Sequence, residues 1–330
     1  MFICQVRYSR NSTSNIMPGM KNIFLRNKSV KQTIFKNSFW IGLSEGFNKI
    51  LKLVLLIYVA RILGAVDYGK LTFAFAFVGL FSILNVLGVP EIMVREFSKN
   101  KERERDFSSL LSLILVLNLI TLGLIFIASQ FVTQDAEIQK IIWILAIYTS
   151  FDILTNLFSS FFRARQQMEY EALTKIARVL VLLSAGMLVL FYLPSVVNLS
   201  FGYLLANVIG FAVAVAIFLW RSGSLKIKWK IDTWKNYLLM SWPLALVGFL
   251  TLICGEIDSV MMGAWGQFAE TGWYNAAYRL AGAALIPANL ISLSFYPVLS
   301  KFFNESKEKL QKIWNYQVGV MIFMAVPIII

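Results

Sequence analysis

Histidine is absent from all 330 residues, and cysteine occurs twice, at Cys4 and Cys254. The first absence removes the usual general base and the commonest metal ligand. The second leaves neither a disulfide framework nor a metal knuckle, since the two thiols lie far apart in the chain. Charge is also scarce: 15% of residues are charged and 58% are hydrophobic, with a mean hydropathy of +0.67. Soluble domains are about 45–50% apolar and 25% charged, so this balance indicates a polytopic membrane protein. A phosphate loop, a dinucleotide fingerprint and a nucleophile elbow are all missing. Soluble-type enzymology is therefore disfavoured. A cleavable signal peptide is not expected either, because residues 1–37 are polar and basic and the first apolar run carries charge.

What is present is a series of apolar windows long enough to cross a bilayer. They fall near 39–60, 71–93, 108–132, 138–162, 172–193, 199–220, 237–256 and 273–297, and a ninth opens near 315. The net charge of +13 is unevenly placed: 25 of the 31 Lys and Arg lie in the tail or after spans two, four, six and eight. That alternation is the positive-inside pattern and predicts a cytoplasmic amino terminus in the cytoplasmic membrane. A nucleic-acid surface would need one contiguous basic face, so nucleic acid is not an expected partner. The segment "LKIKWKIDTWK" (225–235) reads as an interfacial connector anchored by Trp229 and Trp234, or as a reader of anionic lipid headgroups.

An internal repeat organises the chain. With an offset of 203 residues, "DYGKLTFAFAFVG" from Asp67 aligns Asp67 with Glu270, Gly69 with Gly272 and Gly79 with Gly282. The offset equals six spans, so the halves run parallel about an axis along the membrane normal. The expected division is a basic cytoplasmic tail (1–37), a first six-helix lobe (38–220), a cytoplasmic interfacial connector (221–236) and the start of a second lobe (237–330). Two such lobes need at least twelve spans, so a chain of eight to nine reads as truncated. "MKNIFLRNKSV" from Met20 reads as a start, which would make the preceding residues a leader.

Three stretches carry a family resemblance: "RILGAVDYGKLTFAFAFVGLFSILNVLGVPEIMVREFSK", "FFRARQQMEYEALTKIARVL", and "EIDSVMMGAWGQFAETGWYNAAYRLAGAALIPANLISLSFYPVLS". Together they resemble the polysaccharide (oligosaccharidyl-lipid) flippases of the MOP superfamily, from about residue 36 onward. The resemblance implies an all-α, MATE-like bundle of two lobes. It implies a cargo of oligosaccharide on polyprenyl diphosphate, with glycosyltransferases and a polymerase as neighbours in the process and membrane lipid around it. No cofactor is implied; H⁺, Na⁺ or the membrane potential would drive transport.

The charges inside the spans are the candidate site. In "SEGFNKILKLVLLIYVA" (44–60), Glu45, Asn48, Lys49 and Lys52 form one helical stripe. Lys52 sits roughly 20 Å beyond Phe39, past snorkelling reach of the near headgroups. Two readings stand: a Glu45–Lys49 pair at the favoured i,i+4 spacing, or lysines that face a cavity and bind diphosphate. Arg279 in "NAAYRLAGAALIP" matches an arginine that the resemblance to lipid II flippases, with their YxADRL-type stretch, marks as important for transport. Its guanidinium suits a diphosphate, and pairing with Asp258 or Glu256 is the alternative. Asp152, Asp258, Glu256 and Glu45 are candidates for ion coupling or local packing, and Arg61 and Asp67 for gating or loop packing. Gly42, Gly46, Pro243 and Gly248 are candidate bending points.

Two other functions compete with the flippase. A multidrug or cation antiporter of the same fold would present unpaired acids. A membrane-embedded glycosyltransferase or polymerase would carry a large outer loop, yet the outer loops here are only about ten to seventeen residues.

Overall fold

A computed structural model describes residues 30–222, 224–284 and 307–329; residues 1–29 of the basic tail and 285–306, which include the rest of the predicted eighth span (to 297), lie outside them. Among the described residues every regular element is helical: α1 (Val30–Val86), α2 (Val89–Lys99), a 3₁₀ turn (Lys101–Asp106), α3 (Phe107–Val132), α4 (Ala136–Ala164), α5 (Met168–Tyr192), α6 (Val196–Ser222), α7 (Ile231–Ala264), α8 (Phe268–Ala284) and α9 (Lys307–Ile329). Six of the helical stretches are long and apolar enough to cross a membrane.

The longest of these stretches contains two spans. Gly64, at φ 78° and ψ 176°, breaks α1 into limbs 30–63 and 65–86. That conformation is open essentially to glycine alone. The predicted second span, 71–93, is also divided, because Leu87 and Gly88 adopt left-handed φ values of 44° and 72°. Pro90 in the first turn of α2 then restarts the helix. A Cβ at Gly88 would meet Ser241 O and Leu244 Cβ at 3.0 Å, so this glycine also lets α7 approach. At the candidate bending points the helices continue, α1 through Gly42 and Gly46 and α7 through Pro243 and Gly248, while the non-helical dihedrals fall at Gly64 and Gly88. Gly248 instead admits the Ile83 side chain, whose Cδ1 lies 2.8 Å from where a Cβ would sit.

The interhelical connector is shorter than the composition suggested, since α7 starts at Ile231, with Asp232 in its first turn. What remains is stitched to the start of α3. Lys228 N donates to Ser108 O (3.3 Å), Ser112 Oγ to Lys228 O (2.7 Å) and Trp234 Nε1 to Ser109 O (2.8 Å). Trp229 packs on Trp234 with ring centroids 5.6 Å apart.

Two apolar clusters fill the bundle. One joins Leu55, Val59, Phe73, Phe77, Ile142, Leu145 and Leu199. The other, at the end carrying the basic connections, joins Met93, Phe97, Phe107, Phe158, Phe161, Phe162 and Phe218. Its rings are in mutual contact, for example Phe107 with Phe218 at 4.9 Å and Phe158 with Phe218 at 5.2 Å. In lipid, contacts of this kind hold helices by dispersion and close packing.

A polar layer separates the clusters. On α4 it comprises Thr149, Ser150 and Asp152, on α3 Asn118, and on α6 Asn207. Asn207 Nδ2 donates to Tyr148 O at 3.0 Å, and Asn118 Nδ2 reaches Ser150 O at 3.4 Å. Charges of the site gather at this level.

The repeat offset has a geometric counterpart. A Cβ on Gly69 would overlap the carbonyl oxygen of Phe268, and one on Gly272 would overlap that of Ala65. Phe268 and Ala65 are themselves 203 residues apart. The contact between the second limb of α1 and α8 is thus self-complementary about a local two-fold.

Candidate functional site

The site is built on the first limb of α1, on α4, α5 and α6, and on α7 and α8. Glu45, Lys49 and Lys52 share α1 as expected, but the Glu45–Lys49 pair does not form. Glu45 instead accepts from Lys175 Nζ of α5 at 2.6 Å, across 130 residues of sequence. Lys175 also pairs with Glu171 at 2.9 Å, and Glu171 with Arg163 at 2.9 Å. Glu171 is only 2% exposed, so its charge depends on both cations. Below this chain, Lys36, 1% exposed, meets Glu169 at 2.9 Å, and Asn37 Nδ2 donates to Gln166 Oε1 at 2.8 Å. The amino-terminal half of α1 is thereby fixed to α5 and to the α4–α5 turn.

Asp152 has a partner outside its own helix. It pairs with Arg178 of α5, which also donates to Asn207 Oδ1 of α6 at 3.4 Å. Gly210 makes room for the arginine stem, since a Cβ there would meet Arg178 Cβ at 3.2 Å. Beside the pair is a polar cavity of about 90 Å³ lined by Thr155, Asn156, Ser159, Thr174 and Lys175.

Sequence reasoning assigned Lys175 and Arg178 to a connection. In the structure both lie well inside α5, which starts at Met168. The available signal was their three-residue spacing within the predicted window 172–193, with Glu171 four residues before Lys175.

Lys52 lies in the electrostatic field of Arg178, Asp152, Arg279 and Glu45. Three of the predicted residues, from α1, α4 and α8, are thus brought together with the unforeseen Arg178. Among the described residues no carboxylate pairs directly with Lys49, Lys52 or Arg279. Tyr68, whose side chain is buried, lies beside Arg279.

The acidic pair expected at the end of α7 is not a pair. Asp258 accepts from Tyr274 Oη at 2.8 Å, whereas Glu256 is half-buried in the field of Arg279. Residues two apart on a helix face different ways, which is the physical reason. Arg61 is exposed, and Asp67 approaches Lys70 at 3.9 Å; Lys70 is held more closely by Glu137, at 2.6 Å. Asp67, Lys70 and Glu137 tie the region after the α1 break to the start of α4, and Lys52 is not among their partners. No group of three His, Cys, Asp or Glu able to hold a metal occurs among the described residues.

The sequence pattern of the family described as "polysaccharide biosynthesis protein" matches residues 34–303. The chain belongs to that family. No curated protein sequence matches the chain. Its fold is similar to that of solved MATE transporters of the MOP superfamily. One is the MATE multidrug transporter DinF-BH: TM-score 0.65, 17% identity, covering 91% of this chain and 72% of that one. Another is a MATE-family multidrug resistance transporter in an inward-facing conformation, with TM-score 0.63, 13% identity and coverage of 85% and 68%. A third is a MOP-superfamily transporter from Pyrococcus furiosus, described as having a binding pocket of reversed polarity: TM-score 0.60, 16% identity, coverage 93% and 72%. At these identities the likeness concerns the fold. Family and fold together make this member a multi-pass helical membrane protein.

Proposed function

We propose that the protein flips an oligosaccharide carried on polyprenyl diphosphate across the cytoplasmic membrane, for assembly of cell-surface polysaccharide. The observation that carries this reading is the cationic excess at the polar layer. Lys52, Arg178 and Arg279 share one neighbourhood, and only Arg178 is matched by a carboxylate. Lys52 and Arg279 are both exposed beside the polar layer, and cations that repel one another at that depth are costly unless an anion joins them. Arg279 supplies a planar fork for two phosphate oxygens, and Lys52 supplies a point charge. The cation-antiporter alternative needs free acids, but Glu45, Asp152 and Asp258 are each engaged by a donor, and Glu256 sits in the field of Arg279.

In this reading the amino terminus and the basic connections face the cytoplasm. The inside-negative potential then favours outward movement of the cargo. A charge crossing 100 mV gains about 2.3 kcal/mol, so a diphosphate bearing roughly two charges gains about 4–5 kcal/mol. A coupling ion, H⁺ or Na⁺, would add to that drive. The chain itself makes and breaks no covalent bond. Glycosyltransferases that build the cargo and a polymerase that uses it are the expected partners.

The test is flipping of a lipid-linked oligosaccharide in proteoliposomes, expressed per inserted protein molecule. Arg279→Ala and Lys52→Ala should each slow flipping about tenfold or more, as loss of a charge-assisted contact of about 1.5–3 kcal/mol implies. Arg279→Lys should recover only part of the loss. Parental rates in both alanine variants would refute the proposed site.

A further inference from the structure

A second cavity, remote from the polar layer, lies at the basic end between the 3₁₀ turn and the first two turns of α7. Its volume is about 400 Å³, within the range of small-molecule sites. One wall is polar, made by Arg103, Asp106, Thr233, Asn236 and Tyr237; the other is Leu239 and Met240.

Three observations show that this is more than a surface dent. Tyr237 is 2% exposed, and its hydroxyl lies within reach of the Arg103 guanidinium, among the charges of Asp106 and Glu96, without a well-formed hydrogen bond among the described residues. A buried hydroxyl of this kind normally finds a partner. Asp106 immediately precedes α3 and lines the cleft, and its carboxylate makes no capping hydrogen bond to that helix. Arg103 gives one arm to Glu96 at 2.9 Å, and a guanidinium has five N–H donors.

The cleft thus gathers a cationic donor, neutral donors and one carboxylate around a single space, and it opens toward apolar surface. Leu239 is 62% exposed and Ile231 74%. Hydrogen bonds from Lys228 and Trp234 to the start of α3 fix the first turn of α7 beside the cleft. A purely anionic headgroup would meet Asp106 unfavourably, and a purely cationic one would meet Arg103.

We infer that this cleft binds the headgroup of a zwitterionic aminophospholipid of the phosphatidylethanolamine type. Its phosphate lies against Arg103, Thr233, Asn236 and Tyr237, its primary ammonium against Asp106, and an acyl chain leaves past Leu239 and Met240. The site is independent of the cargo reading, because none of its residues belongs to the polar layer.

Native mass spectrometry of the purified 330-residue chain, titrated with defined lipids, tests this. Phosphatidylethanolamine should bind at least about fivefold more tightly than phosphatidylcholine, whose quaternary ammonium donates no hydrogen bond, or phosphatidylglycerol, which is anionic. Asp106→Asn should abolish the preference for ethanolamine over choline. That ratio is read within one sample, so it does not depend on the folded fraction. Tyr237→Phe should weaken both lipids by a similar factor, about five- to tenfold, leaving the ratio intact. Soluble phosphoethanolamine should bind far more weakly, since it lacks the acyl contacts. Equal binding of the three lipids, an unchanged ratio in Asp106→Asn, or tight binding of soluble phosphoethanolamine would each overturn the proposal.

Discussion

Gly69→Ala and Gly272→Ala should destabilise the protein strongly, by similar amounts, and less than additively. At either position the added methyl would overlap a backbone carbonyl of the facing helix: Phe268 for Gly69, Ala65 for Gly272. Next in line are also backbone atoms, with Gly272 N 3.1 Å from a Cβ on Gly69 and Gly69 N 3.2 Å from one on Gly272. Backbone cannot swing aside as a side chain can, so the second limb of α1 and α8 must separate. Overpacking costs about 1–3 kcal/mol where neighbours can give. Here the upper end, about 3 kcal/mol, is expected. A gap of about 0.5–1 Å alone forfeits a quarter to a half of each dispersion well along the contact. At about 1.5 °C per kcal/mol for a chain of this length, the melting midpoint should fall by about 4–5 °C for each variant. Once one methyl has parted the helices, the second has less to displace. The double variant should therefore lose at least about 1 kcal/mol less than the sum. Gly79→Ala is the control, because nothing lies within 4 Å of its Cβ position; it should be neutral or gain about 0.5–1 kcal/mol. Size-exclusion of heated, detergent-solubilised protein reads the midpoints, with membrane abundance as a second measure. Midpoints within about 2 °C of the parent for both single variants, or full additivity in the double, would refute a self-complementary crossing.

Other outcomes follow from the ion pairs. Lys175→Met should destabilise by about 2–3 kcal/mol, below the usual 3–5 for breaking a buried pair because Arg163 still faces Glu171. Glu45→Gln should cost at most about 1 kcal/mol and Lys49→Ala almost nothing, as Glu45 is 41% exposed; thermal midpoints rank the three. Asp152→Asn should leave Arg178 without its carboxylate and lower membrane abundance, and Arg178→Gln in the same chain should restore part of it. Arg165→Lys should lose the fork onto Glu104, where Nε and Nη2 lie at 3.2 and 2.6 Å from its oxygens, together with the stack 4.3 Å from Phe161. About 1 kcal/mol is expected for this partly exposed pair, and it should shrink at high salt.

The sequence alone determined the class of the molecule. Composition, window length and the alternation of basic residues are additive properties along a chain, and lipid admits few backbone solutions. The helices near 108–132, 138–162, 172–193 and 199–220 were legible for that reason. So was the equivalence of Gly69 and Gly272, because a repeat leaves its offset in the sequence; that the two face each other came only from the structure. The tertiary structure alone decided who neutralises whom. Helical spacing offered Lys49 to Glu45, but Lys175 lies closer in space, at 2.6 Å. Asp152 has its cation 26 residues away, on the next helix. The bends also escaped a sequence reading. Glycine packs helices closely as readily as it breaks them, and only the positive φ values at Gly64 and Gly88 tell the two uses apart. Local pattern fixes which residues share a helix face; which faces meet is set by packing between helices far apart in sequence, and ion pairs form there.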